Sequence, residues 1–267
     1  MTRQPEAGPL SPVAAIVRRA DPDRFFCALF APPARREAVL LLAAVNHELA
    51  RAREVVSLAP LALIRLQWWR EVADGERRSH EVAGPLGAAL DAGVIAADDI
   101  HAMVDAREAE ADDIPDFAAW EELVRGTAGR LAVAQGRVLG ADTAALARIG
   151  ELGAAYGAVG QLRNVEVLAR RGRCLLPLDA LAEAGITSEE VVADPRDVRL
   201  ALIRAHIASW TSARIAAGRG RIARGGIAAA LPGVLARRDL SRLGQPARPR
   251  GVGDRAAVLA AYLVGRV

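Results

Sequence analysis

At about 150 residues per domain, the 267 residues suffice for one large domain or two small ones with a substantial core, which excludes a peptide-like or disulfide-stapled scaffold. The chain is 52% hydrophobic, 25% charged and only 4% aromatic, and its apolar share comes mostly from Ala, Leu and Val, which predicts an all-α protein. Net charge is +3, and all 35 basic residues are Arg. Richness in Arg, Ala and Gly fits GC-rich coding, and the scarcity of aromatic stacking residues argues against a nucleic-acid partner. No window reaches the roughly 18 apolar residues of a spanning helix, since Ile227–Ala236 and Ala256–Val264 are too short. Met1–Leu10, with Pro5, Glu6 and Pro9, lacks a secretory apolar core. The expectation is a cytoplasmic protein, with at most peripheral contact at the inner membrane. Cys27 and Cys174 have no companions for a zinc site and read as reduced, buried thiols.

The predicted elements begin with a short helix over Ser11–Arg19. Asp21-Pro22 then caps and starts a helix over Arg24–Leu29. Ala31-Pro32-Pro33 breaks the chain before a long helix, Ala34–Ser57, whose Val39, Leu42, Val45, Leu49, Ala52 and Val56 form a buried stripe. Helices follow over Leu61–Asp74, from Gly84-Pro85, over Ala97–Ala111 with Asp98 and Asp99 at the favourable dipole end, and from Asp116 or Phe117 to Leu139. Another long helix spans Asp142–Arg170; after Gly172 an extended Leu175-Leu176-Pro177 leads to helices over Leu178–Gly185, Ser188–Ala193 and Val198–Gly218. Gly218–Gly226 and Gln245–Gly253, rich in Gly, Pro and Arg, read as exposed loops, and Arg255–Val264 as a helix docking back onto the body. No composition step marks a boundary, so residues 1–267 read as one domain.

No Gly-rich loop follows a strand, no His pair sits at metal spacing among His47, His80, His101 and His206, and no Ser or Cys has a nucleophile's setting. Two stretches stand out. In Leu41–Arg70 a polar set, Asn46, His47, Glu48, Arg51 and Glu54, interrupts an otherwise apolar helix; in Gly157–Pro177 the set is Gln161, Arg163, Asn164, Glu166, Arg170 and Arg173. Simpler roles stand beside these. Adjacent Trp68 and Trp69 point about 100° apart, so one belongs to the core and one to a rim. Arg65 and Arg70 have Glu54, Glu71 and Asp74 within reach as ion-pair partners, and Glu48, Arg51 and Glu54 suit a polar network.

In their sequence, separation and helical setting, the two stretches resemble the squalene/phytoene synthase family of head-to-head isoprenyl transferases, over residues 20 to 240. The resemblance implies an isoprenoid-synthase-like helical bundle with a central cavity. In active members, carboxylates spaced i, i+4 on two facing helices hold the Mg²⁺ that draws off a diphosphate. Here the first pair falls on Ala50 and Glu54, and the second motif on Gly160, Leu162-Arg163-Asn164, Leu168, Gly172-Arg173 and Leu176-Pro177. An active-site Arg matches His47 and a cavity Tyr matches Leu123. The frame persists while the ligands, Glu54 excepted, are replaced. No catalytic residue, metal or cofactor is therefore expected, and Asn46, His47, Ala50, Arg51, Glu54, Gly160, Arg163, Asn164, Leu168, Arg170 and Arg173 become cavity or binding candidates. Arg163, Arg170 and Arg173 suit an anionic head group, because Arg recognises phosphate without metal.

Asn46–Ala50, Arg53–Ser57, Ile64–Arg70, Asp105–Glu108 and Gly172-Arg173 further resemble a branch that includes a mitochondrial complex I assembly factor and also lacks the paired aspartates. This resemblance implies a binding or assembly role with a respiratory complex I subunit as partner, and a lipid or isoprenoid as ligand. The alternative is an active Mg²⁺-dependent prenyltransferase recruiting Glu54, Asp105, Glu108 and Asp112, which requires at least three of those carboxyl groups to converge on one cavity.

Overall fold

The computed structural model describes residues 10–54, 59–245 and 248–267. The fold is all-α: among the described residues there is no strand, only an isolated bridge between Arg221 and Arg266. Local chemistry sets the helix starts. Ser11, Asp21, Asp116 and Asp142 each accept a backbone N–H three residues on, opening α1 (Pro12–Ala20), α2 (Pro22–Ala28), α7 (Phe117–Val124) and α9 (Thr143–Ala169). Gly140 and Gly172, at φ +76 and +69, end helical segments in the left-handed conformation that glycine adopts without a Cβ clash.

The long first helix, α3 (Pro33–Glu54), buries Val39, Leu42, Val45, Leu49 and Ala52 as its periodicity requires, while Val56 lies outside the described residues. After α4 (Ala59–Ala73), α5 (Ala83–Asp91) and α6 (Ala97–Glu108), the chain reaches α7. The helix predicted from 116 to 139 is interrupted: Arg125–Gly129 form a π-turn before α8 (Arg130–Val138). Trp69 is buried and Trp68 half-buried, their rings edge-on at 4.9 Å. Arg70 pairs with Asp105 and Glu108 on α6, not with Glu71 or Asp74.

The 27-residue α9 is the axis of the bundle, packed on α8, on α12 (Leu200–Gly218) and on α13 (Pro232–Leu240). Between α8 and α9 small residues set the distance: a Cβ at Gly153 would lie 2.5 Å from the Ala132 methyl, and one at Gly157 2.5 Å from Ala128. Short helices α10 (Leu178–Glu183) and α11 (Ser188–Ala193) connect α9 to α12. The sequence pattern missed α13, which is buried along Val234, Leu235 and Ala236. The terminal helix, α14 (Val252–Val264), docks on α13 through Val258 and through Asp254, which binds Arg238 and Arg242. Cys27 is buried and free, and burial pushes its thiol well up; Cys174 is half-buried, and its thiol is raised for the same reason.

Candidate functional site

A cavity of about 530 Å³ opens between α2, α3, the π-turn, α9 and the segment ahead of α14, a size ordinary for a small-molecule site. Helical phase decides which candidates reach it. Asn46 and Ala50 lie one turn apart on α3 and line it, as do Gly160, Asn164 and Leu168 at successive turns of α9. Arg163 and Arg173 also reach the cavity. His47, Arg51 and Arg170 do not line it, and Arg51 instead binds buried Glu48 at 3.0 Å. Glu54 ends α3, but its side chain lies outside the described residues. Leu123 is packed in the core beside Trp120 and does not line the cavity; the tyrosine that does is Tyr156, on α9.

Six arginines and four carboxylates line the cavity, an excess of positive charge. Arg24 binds Asp21 at 2.7 Å and covers the Tyr156 ring at 4.7 Å. Arg107 joins Glu110 at 2.5 Å and the side-chain amide oxygen of Asn46 at 3.1 Å, and Arg173 donates to the Glu110 backbone carbonyl at 3.1 Å. Arg163 reaches Asp239 at 2.6 Å. Arg250 bridges Asp239 on α13 and Asp23 on α2, with Nη2 at 2.7 Å and 2.5 Å from their carboxylates. Burial works against its charge, but the hydrogen bonds it donates to Asp239 and Asp23 outweigh that and hold the guanidinium well above its ordinary value. Tyr156 donates to Asp23 at 3.1 Å; burial first, then Asp21 and Asp23, push its phenol well up, so it serves as a neutral donor. Arg248 lines the cavity with no ion pair among the described residues. Val124, Ala128, Leu168 and Leu175 make part of the remaining wall apolar, beside the uncharged polar side chains of Thr127, Gln161 and Asn164.

Sequence reasoning missed Asp23, Arg24, Arg107, Glu110, Tyr156, Asp239 and Arg250, and read Asp21 only as a cap. Arg250 is a correction: its segment was expected to be an exposed loop, yet its side chain is only 16% exposed because two carboxylates from distant helices draw it inward. Nothing local in the sequence marks such pairings. Of the carboxylates of the enzyme alternative, Asp105, Glu108 and Asp112 do not line the cavity, and the side chain of Glu54 lies outside the described residues. Asp105 and Glu108 are held outside it by Arg70, and Asp112 lines a separate pocket beside Gly172 and Ser188.

This all-α arrangement around a central cavity is the isoprenoid-synthase-like fold. It is similar to a dehydrosqualene synthase solved in complex with ligand, at a TM-score of 0.76 and 13% identity, covering 94% of each chain. It is also similar to the squalene synthase HpnC from Alicyclobacillus acidocaldarius, at a TM-score of 0.63 and 13% identity, covering 95% of this chain and 92% of that one. The model of the squalene/phytoene synthase family matches residues 17–260, and the chain belongs to that family. Among curated proteins it is similar to complex I assembly factor 6 of Bos taurus and of Homo sapiens, each 27% identical over 193 residues. The matches take in 68% of this chain and 57% of each relative, so the chain spans little more than half the length of those proteins.

The magnesium that active members would hold does not fit the described residues. Ala50, Gly160 and Leu168 offer no side-chain oxygen, Asn164 a neutral one, and each acidic residue on the wall is engaged by an arginine. Among the described residues no group of three or more His, Cys, Asp or Glu is placed to hold a metal ion. What the arrangement can do is grip an anion with guanidinium groups while an apolar tail lies against Val124, Ala128, Leu168 and Leu175.

Proposed function

We propose that this chain is a non-catalytic member of the squalene/phytoene synthase family. Its cavity holds an amphiphile with an anionic head, of isoprenoid or lipid type, and the protein acts as a binding or assembly factor in biogenesis of the respiratory NADH dehydrogenase. The reading is supported by the wall of the cavity, which is lined by Ala50, Gly160, Asn164 and Leu168, the residues that the resemblance matches to metal ligands, and whose carboxylates are paired with arginines. Losing one stabiliser of a leaving anion costs about 3 kcal/mol, or 10² to 10³ in rate, so the loss of several abolishes transfer. The assembly role is supported by the relatives named complex I assembly factor 6.

Purified protein given farnesyl or geranylgeranyl diphosphate and Mg²⁺ should release no more diphosphate than its Glu54→Ala variant. Release well above that control would instead establish the second reading, an active head-to-head prenyltransferase, which the likeness to dehydrosqualene synthase favours. In cells, deleting the gene should lower assembled NADH dehydrogenase and leave C30 and C40 isoprenoids unchanged.

A further inference from the structure

Charge is distributed very unevenly along this chain. Residues 198–267 contain thirteen arginines and two carboxylates, a net +11, whereas residues 1–197 carry a net −8. Both carboxylates, Asp239 and Asp254, are buried and ion-paired. Arg219, Arg221, Arg224, Arg255 and Arg266 are exposed, and none has an ion pair among the described residues. The bridge between Arg221 and Arg266, with the hydrogen bonds joining Gly220 to Val267 and Ile222 to Gly265, fixes the arginine-bearing turn against the end of α14.

The outward face of α14 is equally unusual. Val252, Ala256, Leu259 and Leu263 fall within about 60° of one another at 100° per residue. All four are exposed, Leu259 by 45% and Leu263 by 58%. The opposite side is already committed through Asp254 and Val258. A surface helix normally turns polar residues to water; here Arg255 is the only charged residue on the exposed part of the helix. Leu263 and Val264 line a groove of about 300 Å³ with Arg221 and Arg224, which joins the C-terminal end of the aliphatic stripe to those two arginines.

We propose that this surface docks on an anionic lipid bilayer, with Leu259, Leu263 and Val264 entering the acyl boundary and the five arginines meeting the head groups. Arginines without ion-pair partners among the described residues, beside an exposed aliphatic stripe, match the interfacial mode of binding. No helix among the described residues is long and apolar enough to cross a membrane, so the contact is interfacial. The inference is independent of what the central cavity holds.

The test is co-flotation of the full chain with vesicles of phosphatidylcholine alone or with 30% phosphatidylglycerol, at low and high NaCl. Binding should require phosphatidylglycerol and fall as salt screens the surface. Arg221→Gln/Arg224→Gln should weaken it roughly thirty-fold, at about tenfold per 1.4 kcal/mol and ~1 kcal/mol per arginine. Leu259→Ser/Leu263→Ser, with helicity confirmed by circular dichroism, should weaken it about tenfold or more. Arg77→Gln/Arg78→Gln, on side chains already paired with Asp91 and Glu71, should leave binding unchanged. Four results would overturn the proposal: no flotation with anionic vesicles, equal binding by all variants, a lipid-independent dimer abolished by the leucine substitutions, or oligonucleotide binding without vesicle binding.

Discussion

Arg250 closes the cavity between two carboxylates that the chain brings from positions 227 and 11 residues away. Removing one partner of a largely buried ion pair costs about 3–5 kcal/mol, because the groups left behind stay desolvated. Arg250→Ala should therefore lower the unfolding free energy by about 3 kcal/mol, read as a fall in the urea midpoint. Arg250→Lys should recover part of the loss, since a point charge cannot reproduce the forked contact. Asp254 makes a second prediction. Burial works against its charge, but hydrogen bonds from Arg238, the Gly251 backbone and Arg242 hold its carboxyl well below the usual range. A depressed folded pKa stabilises the protein above the unfolded value of about 3.9, and that contribution fades as pH falls through the folded pKa. The stability gap between the native protein and Asp254→Asn should be widest at pH 6 and should narrow steadily below about pH 4, as followed by urea unfolding across that range.

At the scale of elements, α9 separates two kinds of helical glycine. Gly153 meets Ala132 and the Ala128 carbonyl oxygen at 2.5 and 2.7 Å from a notional Cβ, whereas Gly160 faces open cavity with nothing within 4 Å. Gly153→Ala should thus force α8 and α9 apart and cost about 1–3 kcal/mol. Gly160→Ala should raise stability by roughly 0.5–1 kcal/mol through helix propensity alone, and thermal melts of the two variants should move in opposite directions. Most helices were legible from periodicity, caps and prolines, because those signals are local. The π-turn at Arg125–Gly129 was not: it adds a residue to one turn without breaking the run of helix formers. Nor was α13, a nine-residue helix opened by Pro232 between two Gly- and Arg-rich segments, whose burial along Val234 and Leu235 depends on tertiary packing.

Across the whole molecule, the family frame could be read from two motif stretches, and the structure brings Asn46, Ala50, Gly160, Arg163, Asn164, Leu168 and Arg173 to one cavity. Its other wall comes from Asp23, Arg107, Asp239 and Arg250, residues far apart in sequence whose pairing depends on tertiary geometry. A resemblance carried by motifs points to the positions that match ligands in active members and is silent about the ion pairs that line the cavity beside them.

The division of charge at residue 197 also acts at a distance. Exposed arginines without ion-pair partners among the described residues, gathered beside α14 on a body of modest overall charge, let an external field turn the molecule before contact. Near a negatively charged plane it would arrive already turned, with α14 and its flanking arginines foremost.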